Sequence, residues 1–339
     1  MNMSGYVADP GERQHPLGEL TSLCTGDGSL SLHSSCFDEA FHSSAGALAE
    51  AKAKFVAPAQ ITRFRSGTPL RVLDVCVGLG YNSAALMAAL PLQGAPDLQW
   101  WGLELDPRPL TLALQHHGFS TLWPAHVLER LQALRDHGHW TDASGGAGDS
   151  CGDSCGDGDG GGAGGRMLWG DARTQLKQLP KGWAVDLILM DAFSPGRCPE
   201  LWSEEFLAAL AAQLAPGGRL LTYSRAAAVR ASLRRAGLEL RSLLPAPGQR
   251  QEWSSGTLAE RHAASSPLAN HGPGWQPLSL MEEEHLSTRA AIAYRDPTGQ
   301  DTALMIHQRR QAEQQACPWE STSSWQRRWA PFTRPQAGT

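Results

Sequence analysis

From Leu70 onward the chain alternates short apolar runs with longer stretches in which apolar side chains recur every three or four positions. This alternation predicts a parallel sheet with helices packed on its faces. The strand candidates are Leu70 to Cys76, Leu98 to Glu104, Met167 to Trp169, Val185 to Met190, Arg219 to Tyr223 and Leu238 to Leu244. A helix is predicted from about Ser203, where Leu207, Leu210, Ala211 and Leu214 make one stripe. Glu204 and Glu205 suit the positive end of its dipole, and Pro216-Gly217-Gly218 stops it. A second helix, about Ala226 to Ala236, places Arg230 and Arg234 on one face and ends at Gly237. The fold class is therefore α/β and Rossmann-like, a parallel-rich twisted sheet with helices on both faces.

Three segments stand outside the alternation. Residues 1–69 form an N-terminal extension. Residues 142–165 hold eleven Gly and five Asp in 24 positions, too little apolar surface to offset chain entropy, so a disordered insertion is expected before the third strand. Cys151 and Cys155 lie in it with no His or second Cys pair, so no metal site is expected. Residues 261–280, rich in Ser, Pro, Gly and Asn, read as a linker, and 281–339 as a helical tail. A central α/β body at 70–260 lies between these flanks.

Composition narrows the class. Of 339 residues, 41% are hydrophobic and 19% charged, which excludes a wholly disordered chain. No apolar run approaches membrane-spanning length, and Met1 to Glu19 has no signal-peptide core, so a cytoplasmic address is expected. Seven scattered cysteines are expected to be mostly reduced thiols. The net charge of -5 argues against wholesale polyanion binding, yet Arg219 to Arg250 holds seven Arg and one acid, Glu239. Two readings stay open for this run: a nucleic-acid surface, or a solvated helical face.

The first strand ends in Asp74-Val75-Cys76 and turns through Val77-Gly78-Leu79-Gly80-Tyr81-Asn82 into an Ala-rich helix. A Gly-bearing turn between strand and helix lets backbone approach a ligand closely. Glu104 ends the second strand, where an acid can take both hydroxyls of a ribose. Asp171 follows the third, either at an adenine amino group or as a plain helix N-cap. These features allow NAD or S-adenosylmethionine. The Pro-Gly-Gly-Arg turn leading into a strand favours S-adenosylmethionine, and no clear hydride-transfer acid is present. Asp191, after the fourth strand, is aimed at the reactive end of the cofactor.

The block Asp191-Ala192-Phe193-Ser194-Pro195 to Trp202 resembles the D-G/A-F-x-P-x-x-N-P-x-x-W block of the methyltransferase domain of the MnmC/MnmD proteins, with Cys198 where Asn is usual. That family acts on the tRNA wobble uridine. Its E-x-G-F-G-T-G-x-N turn is similar to Asp74 to Asn82, with Cys76 at the first Gly. Its opening motifs resemble Asp27-Gly28-Ser29-Leu30-Ser31 and Phe37-Asp38-Glu39-Ala40-Phe41, and its L-E-E…F-L segment resembles Leu48-Ala49-Glu50 to Phe55-Val56. The resemblance covers about residues 17 to 260.

It implies a class I S-adenosylmethionine-dependent methyltransferase converting 5-aminomethyl-(2-thio)uridine to the methylaminomethyl form. Asp191 is then catalytic, and Asp74, Gly78, Gly80, Asn82, Glu104 and Asp171 bind the cofactor. Asp27, Phe37, Asp38, Phe193, Pro195, Trp202 and Arg250 lie on the substrate side. For Phe193, Trp202 and Tyr223 base stacking and core packing both stay open. A stand-alone enzyme without the flavin-dependent oxidase domain of two-domain members is expected, with tRNA as partner and the Arg run as its surface. Cys76 with negative φ would leave the Gly78 and Gly80 amides exposed. A small-amine N-methyltransferase or aminopropyltransferase-like enzyme, and a non-catalytic cofactor- or RNA-binding module, are the alternatives.

Overall fold

A computed structural model describes residues 16–142, 163–245, 254–265 and 267–333 of the protein. The described strands are β1 (Leu20–Cys24), β2 (Leu30–Ser34), β3 (Glu39–Ala40), β4 (Pro69–Val75), β5 (Asp97–Glu104), β6 (His139–Thr141), β7 (Gly164–Trp169), β8 (Val185–Met190), β9 (Leu214–Thr222), β10 (Leu238–Leu243), β11 (Gly256–Arg261) and β12 (Trp275–Gln276). The first three make a small antiparallel sheet, and the other nine make one sheet in the order β12-β10-β11-β9-β8-β4-β5-β7-β6. Its centre is parallel, β4 pairing with β5 and β8, β5 with β7, and β8 with β9. Both edges are antiparallel. From β4 the chain winds outward to β7 and then returns to β8 on the other side of β4. The strand order reverses there, opening a crevice at the carboxyl ends.

The apolar runs are continuous because the central strands are covered on both faces. In β4, Leu70 and Val72 pack with Ala84 and Leu86 of helix Tyr81–Ala89, whereas Leu73 and Val75 pack with Leu207 and Leu210 of helix Glu204–Gln213. Ser203 caps the latter, its Oγ accepting from the Phe206 amide. That helix ends at Gln213, because Leu214 already belongs to β9. Pro216-Gly217-Gly218 lies inside the strand as an irregularity against β8, where a Cβ on Gly218 would meet the Val185 carbonyl at 2.6 Å.

Several expectations need correction. β11 inserts between β9 and β10, so the expected sixth strand lies one place further out. β12 lies within the expected linker. Gly164 and Gly165, read as loop, begin β7, and a Cβ on Gly165 would meet Trp140 Nε1 at 2.2 Å. Cys151, Cys155 and Arg250 lie outside the described residues. The C-terminal part, read as a tail, is helical at Leu280–His285, Ala303–Ala316 and Thr322–Thr333 and is joined to the sheet body. The Glu204 amide donates to the Tyr294 carbonyl, Arg173 pairs with Asp296, and His307 Nε2 lies 3.1 Å from the Gly196 carbonyl.

The Arg run is largely neutralised. Arg219 pairs with Glu260, Arg230 with Glu282, Arg234 with Glu283, Arg235 with Glu204 and Arg241 with Glu239. The Arg230 side chain is 1% exposed and also donates to Thr257, Ser254 and the Gly256 carbonyl. Four of these five acids lie beyond the window in which the charge was counted, so the local excess does not become a surface. Among the described residues no helix is long and apolar enough to cross a membrane.

Candidate active site

At the carboxyl ends of β4 and β8 lies a cavity of about 360 Å³. One wall is the Gly78 turn with Glu104 at the end of β5. A second is Asp191, Ala192 and Phe193 after β8, and a third is Phe37, Glu39, Phe41 and His42 around β3. Glu50 and Tyr223 complete the acid-lined end. The crevice is made by topology, and the N-terminal hairpin closes it into a chamber.

Glu104 is 6% exposed, and its carboxylate accepts from the amides of Gly78 (2.7 Å), Leu105 (2.7 Å) and Asp106 (3.0 Å). Burial raises its affinity for a proton, and these amides oppose that rise. Asp74 lies below the turn and outside the lining, its carboxylate taking a hydrogen bond from Ser83, which in turn accepts from Trp100 Nε1. Burial pushes Asp74 up to about 7, against the Ser83 bond and with help from the charges of Asp191 and Glu104.

The Gly-bearing turn differs from expectation. Cys76 adopts φ +69°, the left-handed region that its side chain disfavours. The Gly78 amide is taken by Glu104 and the Gly80 amide by the Val77 carbonyl, so neither is free for a ligand. Gly78 nevertheless lines the cavity, and its missing side chain keeps backbone at the wall.

Asp191 Oδ2 accepts from Asn82 Nδ2 at 2.7 Å, so the first residues of helix Tyr81–Ala89 orient the acid after β8. Among the described residues, Oδ1 has no hydrogen bond. Burial pushes Asp191 up to about 7, Glu50 adds to the rise, and Asn82 and Lys54 reduce it. Phe193 stacks on Phe37 at 4.5 Å and meets Phe41 edge-on. Tyr223 lines the cavity and donates to the Ala192 carbonyl at 2.9 Å.

Other expected residues stand elsewhere. Trp202 is fully buried, donates to the Phe193 carbonyl at 2.7 Å and packs edge-on to Tyr223, which is the core role. Asp171 caps helix Ala172–Gln175 and pairs with Arg173; it does not line the cavity. Asp27 accepts from Thr25, Ser29 and the Ala49 amide, tying the β1–β2 turn to helix Ala47–Ala51. Asp38 pairs with Arg197 at 2.8 Å on the exposed rim, and Pro195 lies on the same loop outside the lining. Glu39, His42 and Glu50 were missed as site residues. Glu39 and Glu50 stand within motif segments quoted above, but only the folded hairpin and helix turn them inward. Glu39 accepts from the Ser194 amide and hydroxyl, fastening the hairpin to the Asp191 loop.

The chamber fits S-adenosylmethionine. A buried carboxylate on its wall, Glu104, can accept sugar hydroxyls, and a glycine wall at Gly78 admits close approach. Glu104 and Gly78 line this chamber together with Asp191.

Residues 159–258 match the family model described as S-adenosyl-L-methionine-dependent methyltransferase. The chain is 32% identical over 229 residues to the tRNA 5-methylaminomethyl-2-thiouridine biosynthesis bifunctional protein MnmC of Azoarcus sp. (strain BH72), covering 65% of this chain and 33% of that protein. It is 31% identical over 214 residues to the protein of the same name from Caulobacter sp. (strain K31), covering 61% and 33%. The chain thus spans about a third of the length of these curated relatives. The crystal structure of MNMC2 from Aquifex Aeolicus superposes with a TM-score of 0.67 at 24% identity, covering 91% of this chain and 88% of that one, and shows the same fold. The chain therefore carries an S-adenosyl-L-methionine-dependent methyltransferase domain, similar in sequence to the matching third of the MnmC proteins and in fold to MNMC2.

Proposed function

We propose that the protein methylates the primary amine of 5-aminomethyl-(2-thio)uridine at the wobble position of tRNA. The observation that supports this best is the chamber itself. Asp191, Glu50 and Glu39 line it together with Phe37, Phe193 and Tyr223, a setting for a cationic amine attached to a flat ring. When bound, S-adenosylmethionine supplies an electrophilic methyl group whose transfer leaves a neutral thioether.

An alkyl amine enters mostly as ammonium, since a Lys side chain titrates at about 10.4. It must lose a proton before its lone pair can attack. Asp191, oriented by Asn82, accepts that proton and becomes a carboxylic acid. The lone pair so freed would take the methyl group that S-adenosylmethionine supplies, and the product would be a secondary ammonium. Holding the nitrogen in line supplies much of the rate. Phe37 and Phe193 offer the face on which the extruded base stacks. A cytoplasmic workplace goes with this substrate.

The test is to incubate the protein with methyl-labelled S-adenosylmethionine and tRNA bearing 5-aminomethyluridine, followed by nucleoside mass analysis. Label in the 5-methylaminomethyl nucleoside is expected. Transfer to free polyamines alone would replace tRNA by a small amine as substrate.

A further inference from the structure

Two carboxylates of the chamber come from different parts of the chain and have opposite surroundings. Asp191 follows β8, and among the described residues its carboxylate has one hydrogen bond, from Asn82. Glu50 belongs to helix Ala47–Ala51, pairs with Lys54 one turn on, and accepts from the Ser43 amide and hydroxyl at 3.3 and 3.2 Å. Both line the same chamber. Lys54 Nζ also lies 5.9 Å from the Tyr223 ring centre, and the Tyr223 hydroxyl is bonded to the residue after Asp191. We infer that Glu50, restrained by Lys54, is a positioning residue that keeps a fixed negative charge beside Asp191 and thereby makes Asp191 the group that takes the proton of the incoming amine. This rests on the amine-methylation reading above.

Electrostatics divides the roles in the same direction. Burial alone would raise the Glu50 carboxyl, but the charge and hydrogen bond of Lys54, with the Ser43 amide, hold it below the ordinary range. Asp191 is raised to about 7 by burial and then by Glu50. Two carboxylates whose proton affinities are driven apart commonly divide the roles of charge and proton acceptor.

The other groups around Asp191 leave this division intact. Asp74 in β4 is itself raised by burial, and the Cys76 and Cys198 thiols and the Tyr223 hydroxyl are raised too, so those three stay neutral near pH 7. His42 is depressed to about 4 by burial and is neutral as well. Glu39 is bonded to Ser194 and Glu104 to three amides. Within this surround, Glu50 and Lys54 are the neighbours from helix Ala47–Ala51 and the turn after it, and they act on Asp191 with opposite sign.

That opposition sets the experiment. The Asp191 carboxyl carbon is followed by NMR in cofactor-free protein labelled at Asp with carbon-13, its resonance assigned by loss in Asp191→Asn. Glu50→Gln, close in shape, should lower the Asp191 midpoint by about one pH unit, and Lys54→Met should raise it. The acid limb of single-turnover methylation should move the same way in each variant. General loosening of the site would lower both midpoints, so shifts in one direction, or none, overturn the inference. Should Glu50→Gln fail to fold, Lys54→Met decides alone by an upward or absent shift. Midpoints that move as expected in a protein that methylates no 5-aminomethyluridine at any pH would leave the inference standing and overturn the substrate.

Discussion

Asp191 stands where the chain leaves the sheet and enters the chamber wall, and that position was readable from the strand that precedes it. Asp191→Ala should leave S-adenosylmethionine affinity nearly unchanged by calorimetry and lower turnover about a hundredfold or more. Wild-type single-turnover rates in the variant would remove Asp191 from the chemistry. Asp74 tests burial in a different way. Its folded value of about 7 lies above the ordinary Asp value of 3.8, so between those limits the folded state holds a proton that the unfolded state has released. Stability from this group is therefore full below pH 3.8 and declines as pH rises toward 7. Asp74→Asn should melt higher than wild type at pH 8, and the gain should shrink toward pH 5. An equal difference at both values would show that Asp74 is ionised throughout. Cys76 is the residue where sequence and structure part. A glycine in the resembled motif suits φ +69°, and this chain holds a side chain there.

Elements were legible where local pattern decides them and illegible where distant partners do. Helix Ala227–Arg235 was read within a residue at each end, yet neither reading of its basic face included its ion pairs, because Glu282 and Glu283 approach it from about fifty residues downstream. Arg230→Ala should cost about 3–5 kcal/mol in denaturant unfolding, since it strands a buried carboxylate. Arg234→Ala, with its side chain 44% exposed, should cost less than about 1 kcal/mol. Similar costs for the two would contradict the burial described. β11 and β12 were missed because a six-residue run and a two-residue run carry little periodicity, and their pairing partners define them. The β6–β7 hairpin shows the converse. The Asp142 amide donates to the Ala163 carbonyl, so the ladder already spans both ends of the Gly/Asp-rich insertion. Replacing residues 143–162 with Asn-Gly, the two-residue turn such strands prefer, should leave the melting temperature within a few degrees and methylation intact. A large loss would give the insertion a role of its own.

At the scale of the molecule, the α/β class and the crevice were foreseeable from the order of runs, but the extent of the folding unit was not. Trp325 packs over His285 with ring centres 4.1 Å apart, Glu282 pairs inside the sheet body with Arg230, and Arg173 pairs with both Asp171 and Asp296. Ending the chain after Gln276 should therefore yield a protein that fails to melt cooperatively, because Arg230 loses its buried counter-charge. A cooperative transition near that of the full chain would make the C-terminal part a separate appendage. The β6–β7 hairpin lends itself to a different use. β7 runs parallel to β5 and begins at Gly164, so the chain leaves the sheet there at the amino ends of the parallel strands, while the chamber lies at their carboxyl ends. Six residues of strand, about 20 Å, separate the two faces. A fluorescent protein or affinity module spliced between Asp142 and Ala163 would emerge on the side away from the chamber, which gives the engineer a handle for tethering or imaging the enzyme while it works.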